Sequence, residues 1–293
     1  MRLTVATGSA GFGEVPEQWE DPAGSFAHGV ATRRVTLAMV LALVLASIGI
    51  VFSPANRAGA ATVFQSGQVF ASTGNSTVSV YDPASGNLLT SLTDNTAEPY
   101  TAGTAWDSHG NLYVADDTMG DISVYKPDGT LDTEWNNGAF TSGATTGNGI
   151  FAYGLTNPLS IVFDNSGNMY VGQQTTPYIA EFNSSGARQP DIGPVQTELY
   201  GADWIDLAKD QCTLYYTTEG SNIHTYNKCT NTQGANFNVA AFPTVDSSTN
   251  LPVQAFQVKI LSSGEVLVAD SNAVLLLDQN GNCLLYTSDA ADE

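Results

Sequence analysis

The stretch AWDSHGNLYVADDTMGDISVYKPDG, from Ala105 to Gly129, decides the fold of this chain. Apolar residues alternate with other side chains in two short runs, at Leu112 and Val114 and again at Ile122 and Val124. The tetrapeptides DSHG, DTMG and KPDG interrupt these runs. Short alternating runs bounded by glycine, proline and aspartate are typical of strands joined by tight turns. The stretch is therefore predicted to form a small antiparallel meander.

The same pattern returns four more times between residues 61 and 282. Aligned on the second strand of each copy, the repeats are anchored at Val69, Leu112, Met169, Leu214 and Val266. The anchors are 43, 57, 45 and 52 residues apart. Third strands follow in register, and four of the five carry an aromatic residue at the same place: Tyr81, Tyr125, Phe182 and Tyr226. A repeat of about 40 to 50 residues with four short strands is typical of a propeller blade.

We therefore predict an all-β fold, a six-bladed β-propeller over residues 61–282, with five blades visible and the last one incomplete. A seven-bladed propeller is the next alternative, and a solenoid fits less well because its repeats are usually shorter and more regular. Segments 136–157 and 243–252, rich in glycine, threonine, serine and asparagine, lengthen two of the intervals. Such insertions either line a binding face or form surface loops without a role.

The charge of the chain favours some partners over others. The formal net charge is −20 overall, and within residues 61–282 there are 22 acidic and 5 basic residues, a charge of −17. A surface this acidic repels phosphate backbones and anionic lipid. We therefore expect a monomer that binds no nucleic acid and takes a cationic or neutral ligand, or a protein partner. The alternative is that the aspartates serve turns and solubility alone.

The N-terminal region carries an export signal. Arg33 and Arg34 precede an 18-residue apolar run, VTLAMVLALVLASIGIVF, and small residues follow up to Ala60. A basic segment, an apolar run and a small-residue cleavage site predict a signal-peptide helix over residues 33–60, cleavage after Ala60, and a secreted protein without membrane contact. The alternative is an uncleaved anchor, because the run approaches the ~20 residues that span a bilayer. Residues 1–32 are expected to be unstructured, and Val30 is an alternative bacterial initiator.

The last eleven residues, CLLYTSDAADE, resemble the in-frame translation of a transposon-end sequencing adapter. They follow Asn282 where the outer strand of a blade should begin. On this interpretation residues 283–293 are an artefact, and the propeller of residues 61–282 is partial. The alternative is a genuine short acidic tail.

The cassettes DSHGNLYVADDTMGDISVYKPDG and DNSGNMYVGQQ resemble NHL-type propeller repeats. From Thr62 to Asn282 the chain is similar to secreted bacterial propellers grouped with SMP-30/gluconolactonase and streptogramin-lyase-like proteins. The resemblance implies a propeller but no particular reaction. Our first expectation is an exported, non-enzymatic propeller that binds a ligand or partner at its channel face. The alternative is a metal-dependent hydrolase, lactonase or lyase.

Two departures from these enzymes weigh against the alternative. The lyases depend on a histidine at the channel mouth, whereas His28 precedes the signal, His109 lies in a turn on the opposite face and His224 lies in a third strand. Gluconolactonase-like enzymes hold a metal through glutamate, asparagine and aspartate, with the glutamate near the start of the first blade. The corresponding region here, TVFQSGQVFAST, has no carboxylate.

Two cysteines flank a predicted hairpin. A two-residue turn at Gly220 and Ser221 would place Cys212 opposite Cys229 as a non-hydrogen-bonded pair, whose side chains approach closely. In an exported protein this arrangement favours a disulfide. A metal site is the alternative, although two thiolates without a nearby histidine or further cysteine make a poor zinc site.

Candidate ligand residues lie where the second strands end and the inner strands begin, around the central channel. A ring of Asp116, Asp203, Glu219 and Asp270 could bind Ca²⁺ through oxygen ligands. Asp117 lies one residue beyond Asp116. Alternatively, these carboxylates cap the turns that follow them. Trp204 is either a platform for stacking a sugar or a residue packed between blades.

Overall fold

The structure is a computed structural model of the 293-residue chain, and it describes residues 64–73, 77–93, 100–135, 149–243, 254–271 and 273–286. These residues form 18 β-strands and no helix. The strands group into five antiparallel sheets, each with its strands in chain order. The all-β propeller prediction is therefore confirmed, with five blades.

The first three blades come from the N-terminal half of the repeat region. Blade 1 consists of β1 (Val69–Ser72), β2 (Thr77–Tyr81) and β3 (Leu88–Thr93). Blade 2 consists of β4 (Thr101–Trp106), β5 (Leu112–Asp116), β6 (Asp121–Tyr125) and β7 (Ile150–Tyr153). Blade 3 consists of β8 (Pro158–Phe163), β9 (Met169–Gln173) and β10 (Ala180–Phe182).

The last two blades have four strands each. Blade 4 consists of β11 (Trp204–Leu207), β12 (Thr213–Thr217), β13 (His224–Asn227) and β14 (Thr232–Gln233). Blade 5 consists of β15 (Ala255–Ile260), β16 (Val266–Asp270), β17 (Val274–Leu277) and β18 (Cys283–Tyr286). The five predicted second strands correspond to β1, β5, β9, β12 and β16, so the repeat alignment is confirmed.

The recurring DxxGN motif encodes a turn. In blade 2, Asp107 Oδ1 accepts hydrogen bonds from the backbone N–H groups of His109 (2.8 Å) and Asn111 (2.9 Å). The Asn111 side-chain amide also donates to Asp107 Oδ2, at 2.8 Å. Asp164 and Asn168 repeat this arrangement in blade 3. The motif is thus explained by local turn chemistry, and it lies at the end of the blades opposite the mouth.

Neighbouring blades pack through their inner strands, β4 on β8, β8 on β11, and β11 on β15. The hydroxyl of Ser160 on β8 donates to the carbonyl of Asp203, at 2.6 Å, and so joins blade 3 to blade 4. Behind these strands, every position of β5 and β9 is buried. The apolar core is therefore continuous between blades, which holds the inner-strand ends in fixed relative positions.

The structure confirms the Cys212–Cys229 disulfide, with Cα atoms 5.3 Å apart. The predicted hairpin register is wrong by one residue, because Thr213 pairs with Asn227 and Cys212 lies opposite Lys228. The reason is the longer turn between β12 and β13. Ile223 N–H donates to the side chain of Asn238, at 2.9 Å, instead of pairing across the hairpin. Cys229 reaches Cys212 from the turn that follows β13.

Both chain termini include predictions outside the described residues. The signal segment, the Ala60 cleavage site and residues 1–32 lie there, as do residues 287–293. Among the described residues, no helix is long and apolar enough to cross a membrane. Residues 283–286 form β18, in which Leu284 and Leu285 are 55% and 52% exposed. Because backbone pairing requires only an extended chain, the adapter interpretation stays a prediction.

Candidate ligand site at the channel mouth

The antiparallel meander brings the ends of the second strands and the starts of the inner strands to one end of each blade. In blades 2, 3 and 5, the residue after the second strand donates its N–H to the carbonyl of the residue before the inner strand. These bonds join Asp117 to Tyr100 (2.9 Å), Gln174 to Asn157 (2.9 Å) and Ser271 to Gln254 (3.1 Å). These positions form the mouth of the channel.

Asp116 and Asp270 cap turns. Asp116 Oδ1 accepts from Met119 N–H at 3.0 Å, and Asp270 Oδ1 accepts from Ala273 N–H at 2.6 Å. Gln173 takes the same place in blade 3, where it accepts from Thr156 N–H at 2.8 Å and donates to Tyr178 O at 3.0 Å. This geometry is that of the turn-capping alternative.

Glu219 is buried where three blades meet, with 2% of its surface exposed. Its Oε1 accepts from the side-chain amide of Gln174, in blade 3, at 2.7 Å. Its Oε2 accepts from the amide of Gln254, which precedes blade 5, at 3.3 Å. Glu219 itself has a φ of 55°, in the left-handed region that non-glycine residues rarely adopt. A backbone in this region costs about 1–3 kcal/mol and persists only where its surroundings hold it.

Asp203 is fully buried beside Glu219, and its Oδ1 accepts from Trp204 N–H at 3.0 Å. Burial raises the pKa of Asp203 well above its ordinary value, and the charge of Glu219 raises it further. Burial also raises the pKa of Glu219, whereas hydrogen bonds from Gln174 and Asp203 lower it. Burial and the charge of Glu219 therefore both favour the protonated form of Asp203 over its charged form.

Asp117 contributes a third carboxyl group. It is half-buried, and burial raises its pKa while a hydrogen bond with Asn157 lowers it. Its charge also raises the pKa of Glu219. We call Asp117, Gln174, Asp203, Glu219 and Gln254 the mouth cluster. Among the described residues, none of the ion pairs includes a carboxyl group of this cluster, so its negative charge has no cationic partner there.

The predicted ring of four carboxylates is not assembled. Asp203 and Glu219 meet, while Asp116 and Asp270 hold the turns of their own blades. Within the described ranges there is no group of three or more histidine, cysteine, aspartate or glutamate side chains that could hold a metal ion.

Trp204 is 5% exposed and belongs to an apolar cluster with Leu159, Val171 and Phe256. This is the position expected of a residue packed between blades. The two histidines within the described residues lie where the sequence predicted. His109 is in an exposed turn at the opposite end, and His224 is the first residue of a third strand, fully buried.

A cleft of about 330 Å³ opens beside the mouth cluster, between blades 3 and 4. Its walls come from the turn after β9 and from the loop before β11, and the lining residues are Gln174, Thr175, Thr176, Pro177, Thr197, Leu199, Tyr200 and Gly201. Leu199 is 64% exposed. Gln174 belongs to both the cleft and the mouth cluster, so the cleft borders the side chain that donates to Glu219.

Sequence reasoning missed two residues at the mouth: Gln254, and Glu198, whose carboxylate accepts hydrogen bonds from Ser221 N–H and the Asn222 side-chain amide just after Glu219. Gln254 precedes an inner strand, as Asp203 does, and this shared position was the available signal. Glu198 lies in a loop without repeat symmetry, so no pattern marked it.

No protein-family model matches the chain, and no curated protein matches it. The resemblance to NHL and SMP-30-like propellers therefore stays a prediction based on the repeat cassettes.

The raised pKa of Asp203 leads to a prediction about how stability depends on pH. The folded-state pKa of Asp203 is raised, so the protonated form stabilises the fold, and this stabilisation is lost as pH rises above the ordinary aspartate value and through the folded value. Asp203→Asn removes the titrating carboxyl group but keeps the size of the side chain and an acceptor for Trp204 N–H. We expect the unfolding free energy of D203N, relative to wild type, to increase between pH 4 and pH 8.

Denaturant titrations of both proteins at several pH values measure this difference, in which the titration of all other groups largely cancels. A difference that stays constant across this range would contradict the raised pKa of Asp203.

Proposed function

We propose that this chain is an exported, non-enzymatic β-propeller that binds the cationic group of a ligand or protein partner at the mouth cluster. The observation that carries the proposal is Glu219, a buried carboxylate that accepts hydrogen bonds from two side-chain amides and lies beside two further carboxyl groups, with no cationic partner among the described residues. Buried charges in proteins are normally paired. A bound cation would supply the missing opposite charge.

The geometry favours an ammonium or guanidinium group over a metal ion. Such groups donate three to five hydrogen bonds and need only a carboxylate and a few amide oxygens. The Nε2 atom of Gln174 donates to Glu219 and the Nε2 atom of Gln254 does the same, so both amide oxygens are available as acceptors. Asp117, Gln174 and Gln254 are half-buried and can be reached from the mouth.

Two further features support the wider assignment. The Cys212–Cys229 disulfide supports export, because disulfides persist in oxidising compartments. The repeat cassettes support a six-bladed propeller of the NHL and SMP-30-like type, to which the five described blades would contribute all but one.

A second candidate function is the hydrolase or lyase alternative, and the Asp203–Glu219 pair favours it. Two adjacent carboxyl groups with opposite protonation states are a common acid–base arrangement. The described residues do not gather the ligands for the metal of the gluconolactonase type, so no catalytic step is assigned.

The test of cation binding uses spermidine, and separately CaCl₂, with isothermal titration calorimetry in 150 mM NaCl to screen the acidic surface. We expect wild type to bind spermidine and Glu219→Gln to bind at least about tenfold more weakly. Glu265→Gln is the matched control, because Glu265 lies in a turn at the opposite end of blade 5.

The proposal fails if spermidine does not bind, or if E219Q binds it as wild type does. Tighter binding of Ca²⁺ than of spermidine would overturn the preference for an organic cation. Turnover of glucono-δ-lactone that is abolished in D203N would favour the enzymatic candidate instead.

A further inference from the structure

Glu219 lies in a strained turn that a neighbouring loop holds from both sides. The loop that precedes β11 carries Glu198 and Tyr200, and their N–H groups donate to the side-chain and backbone oxygens of Thr218, both at 3.1 Å. Thr218 is the residue before Glu219. The loop is therefore bonded to the end of β12, directly ahead of the buried carboxylate.

The Glu198 carboxylate binds the other side of the same turn. Its Oε2 accepts from Ser221 N–H at 2.6 Å, and its Oε1 accepts from the side-chain amide of Asn222 at 2.7 Å. Gly220 packs so closely on Glu198 that a Cβ atom at position 220 would collide with Oε2. Ala255 N–H, Phe242 N–H and the Asn238 side-chain amide bond the oxygens of residues 220–222. Glu198 supplies the charged acceptor for the donors of this turn, and hydrogen bonds to a carboxylate are stronger than neutral ones.

Glu198 is in turn backed by a fully buried histidine. His224 Nε2 lies 3.1 Å from Glu198 Oε1, and the His224 ring stacks on Tyr216 with centroids 5.1 Å apart. The Tyr216 hydroxyl donates to Gln196 O, in the Glu198 loop, at 2.9 Å. Burial lowers the pKa of His224 below its ordinary value, although Glu198 opposes this shift, so the imidazole is neutral at pH 7.

We infer that Glu198 is a positioning residue for the mouth cluster. Glu198 fixes the turn that carries Glu219, and His224 holds Glu198 in place. A left-handed glutamate needs surroundings that over-determine its conformation, and Glu198 supplies them through contacts on both sides of it. The inference rests on the proposed function for its role in binding. Its structural part can be tested without a ligand.

The experiment compares wild type with Glu198→Gln, using Glu265→Gln as the matched control. Glutamine keeps the size of the side chain, but its N–H₂ group would face one of the two N–H groups from which Glu198 accepts a hydrogen bond. We expect E198Q to bind spermidine at least about tenfold more weakly than wild type while folded. We also expect faster amide hydrogen exchange in residues 219–222, centred on Ser221, and no change in E265Q.

Two His224 variants separate positioning from general stability. His224→Gln keeps a polar side chain beside Glu198 and should retain most of the spermidine affinity of wild type, whereas His224→Leu should lose it. Thermal unfolding of each variant shows whether it is folded at the temperature of the binding measurement. A purely structural role would lower the melting temperature without changing the affinity of the folded protein.

The outcomes distinguish this inference from the proposed function. If wild type binds spermidine and E198Q binds it equally well, the positioning role is wrong and the mouth site stands. If wild type does not bind spermidine, the proposed function fails, and hydrogen exchange alone decides the positioning role. Equal exchange of residues 219–222 in E198Q and E265Q would then overturn it.

Discussion

Replacing Gly172 with alanine is expected to lower the free energy of unfolding by about 3 kcal/mol, at the upper end of the usual cost of overpacking. Gly172 is in β9, and a Cβ atom there would collide with Ser160 Oγ and the backbone carbonyl of Asp203, and would lie 2.9 Å from the carbonyl of Ala202. Two of these atoms belong to the backbone that enters blade 4, so they cannot move without shifting the blade. Denaturant unfolding monitored by tryptophan fluorescence measures the loss.

Gly86→Ala is the control for this substitution. Gly86 lies in an exposed turn with φ of 69°, and no atom lies within 4 Å of a Cβ placed there. Its cost is therefore only that of the left-handed backbone, about 1 kcal/mol. Equal destabilisation by the two substitutions would contradict close packing between blades 3 and 4.

G172A should also disturb the mouth. The Ser160 hydroxyl that would be displaced donates to Asp203 O, and Asp203 is the protonated partner of Glu219. We therefore expect weaker spermidine binding in G172A than in G86A when both are folded.

Removing the disulfide should have an effect of similar size. The sequence separation of Cys212 and Cys229 is 17 residues, and chain-entropy estimates for a loop of this length give about 3 kcal/mol. The double variant Cys212→Ser, Cys229→Ser should therefore unfold at a lower denaturant concentration than the parent. Both proteins should carry Cys283→Ser, because Cys283 is an exposed free thiol that could exchange with the disulfide.

Reductant and thiol counting provide the controls. Dithiothreitol should lower the unfolding midpoint of the C283S parent to that of the double variant and leave the double variant unchanged. Unreduced wild type in denaturant should show the single thiol of Cys283. Three titrating thiols would contradict the disulfide.

The repeat pattern predicted the blades well because each blade is defined by local chemistry. Alternation along a strand and the Asp107-type turn depend on residues at most six positions apart, so a single copy already contains the information. Five copies at similar spacing then indicate radial packing. The close glycine at position 172 was not predictable, because its neighbours come from the next blade.

The disulfide and the hairpin register show the limits of local reasoning. The cysteine pair was predicted from a two-residue turn, and the pair is correct although the turn is not. Ile223 bonds Asn238, and Thr218 bonds the loop of Glu198, so both leave the ladder of their own hairpin. A disulfide tolerates a register shift of one residue because it forms over a range of Cα–Cα distances.

The residues at the channel mouth also include some that local sequence explains and some that only the tertiary structure explains. Asp116 and Asp270 share a place in the repeat, and their local turns explain them. Asp203 and Glu219 were also named for their positions at strand ends. Their proximity, the raised pKa of Asp203 and the hydrogen bonds from Gln174 and Gln254 depend on the contact between blades 3, 4 and 5.

The sequence by itself determined that the chain builds antiparallel blades, where their turns fall, and that its surface is acidic, because these properties depend on short-range alternation and composition. The tertiary structure alone decided which of many aspartates and glutamates lose contact with water, and which loop holds Glu219 in its strained turn. The physical reason is that burial and charge pairing depend on side chains from different blades, such as Gln174 and Glu219, which are 45 residues apart in the chain. At the channel mouth, predicted as a ring of four carboxylates, the structure brings Asp203 and Glu219 together, while Asp116 and Asp270 cap the turns of their own blades.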